Sequence, residues 1–393
     1  MAIILLTWEL GGGRGHLGPL RQLAERLLSH GHRVFLASRD VVAAGDIFAG
    51  LAVEVFAAPL LTATPGYSLP ATRSFADILH NVGFGWGRHL EALTAAWLAI
   101  YRAVKPDAVV FDHSPTALSA SYALDTRRIV LGTGFACPPP GREGEDLRVW
   151  LGERRERETS ESVVLENLNA LRKVHRLAAV DSIGELFAKA DATLLATFSE
   201  LDHFSGRDSG RYVGVFPFPT GARPKWPDGS PRAFAYLKPH ALLESLVTEL
   251  TRQQIATILY TGGNDPQVAL RLSTNHVQVS AAPLDLRRTM AEADFAILNG
   301  SHATTAAALL AGKPTLQFPL SLEQWLFSSR VSELRAGALV GANQAASIAE
   351  AVHRMGCGDY SAGARCFAAK YSQFDPQTAV AAAVEAVETR NGG

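Results

Sequence analysis

G-G-G-R-G-H-L-G-P, Gly11 to Pro19, follows a short apolar run, Ile3 to Leu6, and opens an amphipathic segment from Leu20 to Leu28. A strand, a glycine-rich turn and a helix start are what a nucleotide-handling α/β domain places first. Glycines let backbone N–H groups come close to an anion, and a helix N-terminus adds a favourable dipole. His16 stands where such a turn can hold a catalytic imidazole. Three readings are open: a dinucleotide fingerprint, a sugar-transfer site, or a tight turn.

The pattern G-x-G-x-x-G is present as Gly13, Gly15 and Gly18, and Asp40 follows at the spacing of a ribose-binding acid. Two details oppose a dinucleotide loop. Trp8, Glu9, Leu10, Gly11 and Gly12 separate the strand from the pattern, and Pro19 places Gly18 before the helix. The second reading makes His16 a general base, which needs a carboxylate to fix its tautomer. Asp112 ends the buried strand of K-P-D-A-V-V-F-D, Lys105 to Asp112, and ligands of open α/β sheets bind outside such carboxyl ends. In the third reading His16 caps a turn, and Asp112 caps the next helix through Ser114-Pro115.

The chain has 393 residues, which favours two α/β domains over one core. A net charge of -1 gives no global attraction to nucleic acid. Cys137, Cys357 and Cys366 form neither a disulfide framework nor a thiolate zinc site. Without a basic leader or an apolar run near the ~18 residues of a membrane span, a cytoplasmic protein is expected, with peripheral membrane contact left open. Alternating strand and helix signals make residues 1–215 a Rossmann-like domain. Within it, Ile78 to Val104 reads as one helix, Arg142 to Arg176 as a charged helical stretch, and Arg211 to Val215 as the closing strand. Residues 216–232, with five prolines, read as a linker. Residues 233–375 repeat the alternation, and 376–393 form a terminal helix with the option of crossing back to the first domain.

These residues carry a resemblance. G-G-G-R-G-H-L-G-P-L resembles the G-H-x-x-P loop of GT-B glycosyltransferases, both the small-molecule type and the lipid II transferases. K-P-D-A-V-V-F-D resembles the strand that carries that family's second dyad member. Asn299 to Pro314, N-G-S-H-A-T-T-A-A-A-L-L-A-G-K-P, is similar to its donor-diphosphate segment, and Pro319 to Gln324 to its acid–Gln motif. The resemblance implies two Rossmann-like domains facing across a cleft. It makes His16 the base and Asp112 its partner. It assigns the donor to Gly15, Arg14, Ala282, Leu284, Asn299, Gly300, Ser301, His302, Thr304, Glu323 and Gln324.

Asn299 stands where the family has a phosphate-binding histidine, and His302, Arg14 and Lys238 are the substitutes for its charge. The acceptor side falls to Tyr67, Phe84, Trp86, Phe135 and Trp150. No D-x-D occurs, so the expected reaction is metal-independent and cofactor-free. It moves a sugar, with inversion, from a UDP- or dTDP-sugar to a small-molecule or lipid-linked acceptor. A nucleotide-sugar epimerase and a non-catalytic partner subunit of the same fold are the alternatives.

Overall fold

The computed structural model describes residues 1–13, 15–142, 145, 147–148, 155–204, 206–207, 210–263, 265–341 and 344–389, the side chains of 155–159 excepted. The chain folds as two compact units. The first comprises Met1–Ser199, Phe204–Phe216 and the chain from Pro376; the second comprises Glu200–His203 and Pro217–Asp375.

The first unit is built on strands β1 (Ile3–Trp8), β2 (Arg33–Ser38), β3 (Val53–Ala57), β4 (Ala108–Asp112), β5 (Arg127–Gly132), β6 (Ala192–Leu195) and β7 (Arg211–Tyr212). They are parallel, in the order β3-β2-β1-β4-β5-β6-β7. Helices α1 (Leu17–Ser29), α2 (Val41–Ile47), α3 (Phe75–Leu79), α4 (Gly87–Val104), α5 (Pro115–Ser121), α6 (Arg155–Val174) and α7 (Glu185–Ala188) connect them. A parallel sheet buried on both faces explains the near-continuous apolar strands. One apolar layer joins Phe75, Trp97, Tyr101 and Leu168 to one face. The other joins Leu20, Leu23 and Leu27 of α1 to the opposite face, together with Val380, Ala383 and Val384.

Those last residues belong to the C-terminal helix, Gln377–Glu388, which packs in the first unit. Arg127 Nε donates to Ala386 O at 2.7 Å, and His30 and His32 both meet Glu388.

The second unit has strands β8 (Arg232–Tyr236), β9 (Ala256–Tyr260), β10 (Val277–Val279), β11 (Phe295–Leu298), β12 (Thr315–Gln317) and β13 (Gly337–Leu339), parallel in the order β10-β9-β8-β11-β12-β13. Its helices are α8 (Leu243–Arg252), α9 (Pro266–Leu272), α10 (Leu286–Glu292), α11 (His302–Leu310), α12 (Leu322–Glu333), α13 (Ile348–Cys357) and α14 (Ser361–Lys370). The C-terminal helix is α15. Both sheets follow a doubly wound order that reverses once, between β1 and β4 and between β8 and β11.

Four readings of the sequence are corrected. Ile78–Val104 is not one helix: a π-helical turn, His80–Phe84, interrupts it, because Gly83 at φ +125 and Val82 leave helical geometry. Gly18 lies inside the first turn of α1, and Pro19 is tolerated beside it because first-turn N–H groups lack helical partners anyway. The closing strand of the first sheet is only Arg211–Tyr212. Arg232, expected in the linker, begins β8.

Candidate active site

The site of the first unit sits at its reversal point. Trp8 and Asp112 are register partners at the carboxyl ends of β1 and β4. The turn after β1 carries His16 to the N-cap of α1, where its side chain makes no capping bond. Its Nδ1 instead meets Asp112 Oδ1 at 2.9 Å. A carboxylate there holds the proton of the neutral ring on Nδ1 and leaves the Nε2 lone pair as a base. Trp8 stacks on the imidazole, centroids 5.3 Å apart and 20° between planes.

Nor does Asp112 cap α5. The N–H groups of Thr116 and Ala117 are met by Glu9 Oε2, at 3.1 and 3.2 Å. Asp40, the ribose acid of the dinucleotide reading, caps α2 by accepting from Ala43 N.

The glycine that this geometry demands is Gly11. Its φ is +87, and a Cβ there would stand 2.7 Å from His16 Nε2. Gly15, assigned to the donor, is exposed, and a Cβ on it would meet nothing within 4 Å. Arg14 and Trp150 lie outside the described residues.

His113 follows Asp112 and was not singled out in the sequence. It is buried, with φ +46, and its ring lies 6.2 Å from that of His16. Burial, then the neighbouring His16 and Arg39, push its pKa down to about 3, so it stays neutral. Phe135 sits edge-on to it at 6.2 Å. Of the other acceptor candidates, Tyr67 and exposed Trp86 cluster with His89, Tyr67 Oη and His89 Nδ1 being 2.9 Å apart. Phe84 is fully buried core and offers no ligand wall.

In the second unit the residues after β8 and β11 meet at the equivalent reversal. Asn299 Oδ1 accepts from Lys238 N at 2.6 Å, and its Nδ2 donates to Phe318 O at 2.9 Å. Its amide therefore ties three strand ends together and leaves one Nδ2 N–H beyond those two bonds. Exposed Lys238 contributes its backbone N–H to this knot. Gly300 has φ +76, and a Cβ there would stand 2.8 Å from Gln324 O, so the turn lies directly on the first turn of α12.

Gln324 Oε1 accepts from Leu320 N at 2.8 Å, and Glu323 precedes it in the same turn. Ser301 is the N-cap of α11, and Thr304 lies in its first turn. Ser301 Oγ is buried and has no hydrogen-bond partner among the described residues. His302 packs on Phe327, ring centroids 4.8 Å apart. Burial first, then His203, push its pKa down to about 3 against an opposing pull from Asp202. The ring is neutral and brings no charge of its own.

Leu284's side chain is core. Ala222 donates to Pro283 O and accepts from Asp285 N, both at 2.9 Å. That pattern turns Leu284's own N–H and C=O away from Ala222. Ala282 is exposed, and its carbonyl accepts from Ser280 Oγ.

His240, after β8, was also missed. Its Nδ1 accepts from Leu242 N at 3.2 Å, which puts the neutral ring's proton on Nε2. That Nε2 is buried without a partner among the described residues.

No protein-family model matches the chain. Over 106 residues, 25% of this chain but 7% of the relative, it is 30% identical to a sterol 3-beta-glucosyltransferase of Aspergillus clavatus. Solved structures resemble it over nearly the whole length. CalG4, the calicheamicin glycosyltransferase, superposes with TM-score 0.72 at 19% identity, covering 98% of each chain. The spinosyn rhamnosyltransferase SpnG, complexed with spinosyn aglycone, gives 0.71 at 16% identity, covering 98% of this chain and all of its own. The glycosyltransferase VinC, in complex with dTDP, gives 0.70 at 18%, covering 98% and 99%. Two Rossmann-like units in this order are the fold of the GT-B glycosyltransferases, and this chain has it.

Proposed function

We propose that the protein is an inverting, metal-independent glycosyltransferase that moves a sugar from a UDP- or dTDP-sugar to a hydroxyl of a small-molecule or lipid-linked acceptor. The observation that carries this reading is the His16 Nδ1–Asp112 Oδ1 bond of 2.9 Å, which makes Nε2, beside Gly11, the basic nitrogen of the neutral ring. His16 takes the acceptor proton, and Asp112 stabilises the imidazolium that forms. The acceptor oxygen attacks the anomeric carbon, and the nucleoside diphosphate leaves. Its growing charge is met by Gly300, Ser301 and the N–H groups that open α11, with the helix dipole behind them. Leu284's N–H and C=O are the pair that reads the base, and Glu323 and Gln324 hold the sugar.

Calorimetry with UDP-, dTDP- and GDP-sugars, followed by product analysis with and without acceptors, tests this. Binding of a UDP- or dTDP-sugar and transfer only when acceptor is added support it; conversion of donor alone points to an epimerase. The uncharged Asn299 amide, tied to Lys238 N and Phe318 O, and the neutral His302 favour a second reading, a partner subunit that has lost its donor site. Failure to bind any of the sugars would select it.

A further inference from the structure

We propose that Glu9 is a positioning residue that locks the His16 turn to the Asp112 turn. The inference rests on the reading of His16 and Asp112 as the base dyad. Glu9 is the first residue after β1, and side chains alternate along a strand. Trp8 turns to the layer of α1 and stacks on His16. Glu9 turns to the other layer, where it is 1% exposed. There its Oε2 takes the N–H groups of Thr116 and Ala117, at 3.1 and 3.2 Å, in the first turn of α5.

One residue later, Leu10 N donates to His113 O at 2.9 Å, extending the β1–β4 ladder past both strand ends. The segment from Asp112 to Ala117 is therefore held from the β1 side on both flanks of Ser114-Pro115. His113 between them keeps a left-handed φ of +46, a conformation that persists only where surroundings over-determine it. Without Glu9, two buried N–H groups lose their acceptor and the turn loses one of its two ties.

The groups facing Glu9 are few. Arg39, from the end of β2, pulls on its charge. Tyr101, from α4, donates to Ala117 O at 2.7 Å and feels Glu9 as a negative neighbour. Desolvation outweighs Arg39 and the bonds from Thr116 and Ala117, and holds the carboxyl at about 7. The lock therefore changes charge near neutrality.

The test reads the dyad without substrate. In protein carrying 15N-histidine, the proton of the His16–Asp112 bond gives a downfield resonance, assigned by its loss in His16→Ala. Glu9→Ala is expected to broaden or abolish it, and to lower nucleoside-diphosphate release from UDP-glucose and dTDP-glucose on the order of a hundredfold. Glu9→Gln keeps an acceptor oxygen and is expected to retain the resonance while removing its drift with pH near 7. A Glu9→Ala protein with wild-type resonance and turnover overturns the inference. Should Glu9→Ala not fold, an unchanged pH drift in Glu9→Gln overturns it equally. Wild-type turnover in His16→Ala would instead sink the dyad reading, while the resonance still reports whether Glu9 holds the two turns.

Discussion

Replacing Gly11 by alanine should silence the base while leaving the fold standing. A methyl carbon at Gly11 falls 2.7 Å from His16 Nε2 and 3.3 Å from His113 Nδ1, whereas ordinary contact begins at 3.4 Å. The imidazole must withdraw by several tenths of an ångström, away from the nitrogen's working position. An L-residue at φ +87 adds about 1–2 kcal/mol of backbone strain. In a unit of this size that strain lowers the melting temperature by about 2–8 °C. Loss of a positioned base costs on the order of 10²–10⁴ in rate.

Gly12→Ala is the internal control, since its Cβ meets nothing within 4 Å. Initial velocities for both variants, with donor affinity by calorimetry, give the comparison. The expected result is a collapse of kcat in Gly11→Ala with unchanged donor affinity, and near-normal turnover in Gly12→Ala. A fully active Gly11→Ala, or equal damage from both, would refute the geometry argued for the base.

Other outcomes follow from the same structure. Gly300→Ala forces a Cβ to 2.8 Å from Gln324 O at φ +76, so calorimetry should find weakened donor binding while the His16–Asp112 resonance is unchanged. Asn299→Asp keeps the acceptor for Lys238 N but sets an oxygen against Phe318 O. It should destabilise by about 1–3 kcal/mol in denaturant titrations. Glu9's carboxyl is raised from 4.5 to about 7, so the folded state holds its proton more tightly than the unfolded one. That contribution is full below pH 4.5 and is lost as pH rises through 7, a fall of about 3 kcal/mol; Glu9→Gln should flatten this slope. His113 moves the other way, from 6.5 down to about 3. Its contribution is present above pH 6.5 and lost as pH falls toward 3. His113→Asn, which tolerates the left-handed φ, should therefore flatten the acid limb of unfolding.

Much of this was legible because it is local. Parallel strands buried on both faces are apolar runs, and such runs stand out in the sequence. His16 and Asp112 could be paired because strand order alone brings the ends of β1 and β4 together. What stayed hidden depends on where side chains go. Asn299 looked like a weakened phosphate ligand, whereas its amide closes a backbone knot with Lys238 and Phe318. Phe84 looked like a pocket wall and is core, the last residue of the π-helical turn His80–Phe84.

In the opening stretch, the literal glycine pattern pointed at Gly13, Gly15 and Gly18, while the close contact falls on Gly11. α12 was read only for Glu323 and Gln324, since its buried residues, Leu322, Phe327, Ser328 and Val331, mark no clean apolar stripe. Glu9 did leave a signal, a lone acid between Trp8 and Leu10 at the end of an apolar strand. Its partners in α5 lie over a hundred positions away, at |i−j| of 107 and 108.

The central claim is that His16 is the base of a sugar transfer. Its most direct test is the kcat of His16→Ala with a donor that calorimetry shows to bind, measured beside that variant's donor affinity. The account predicts a fall on the order of 10²–10⁴ in kcat with the donor dissociation constant nearly unchanged. Wild-type turnover in His16→Ala would contradict it.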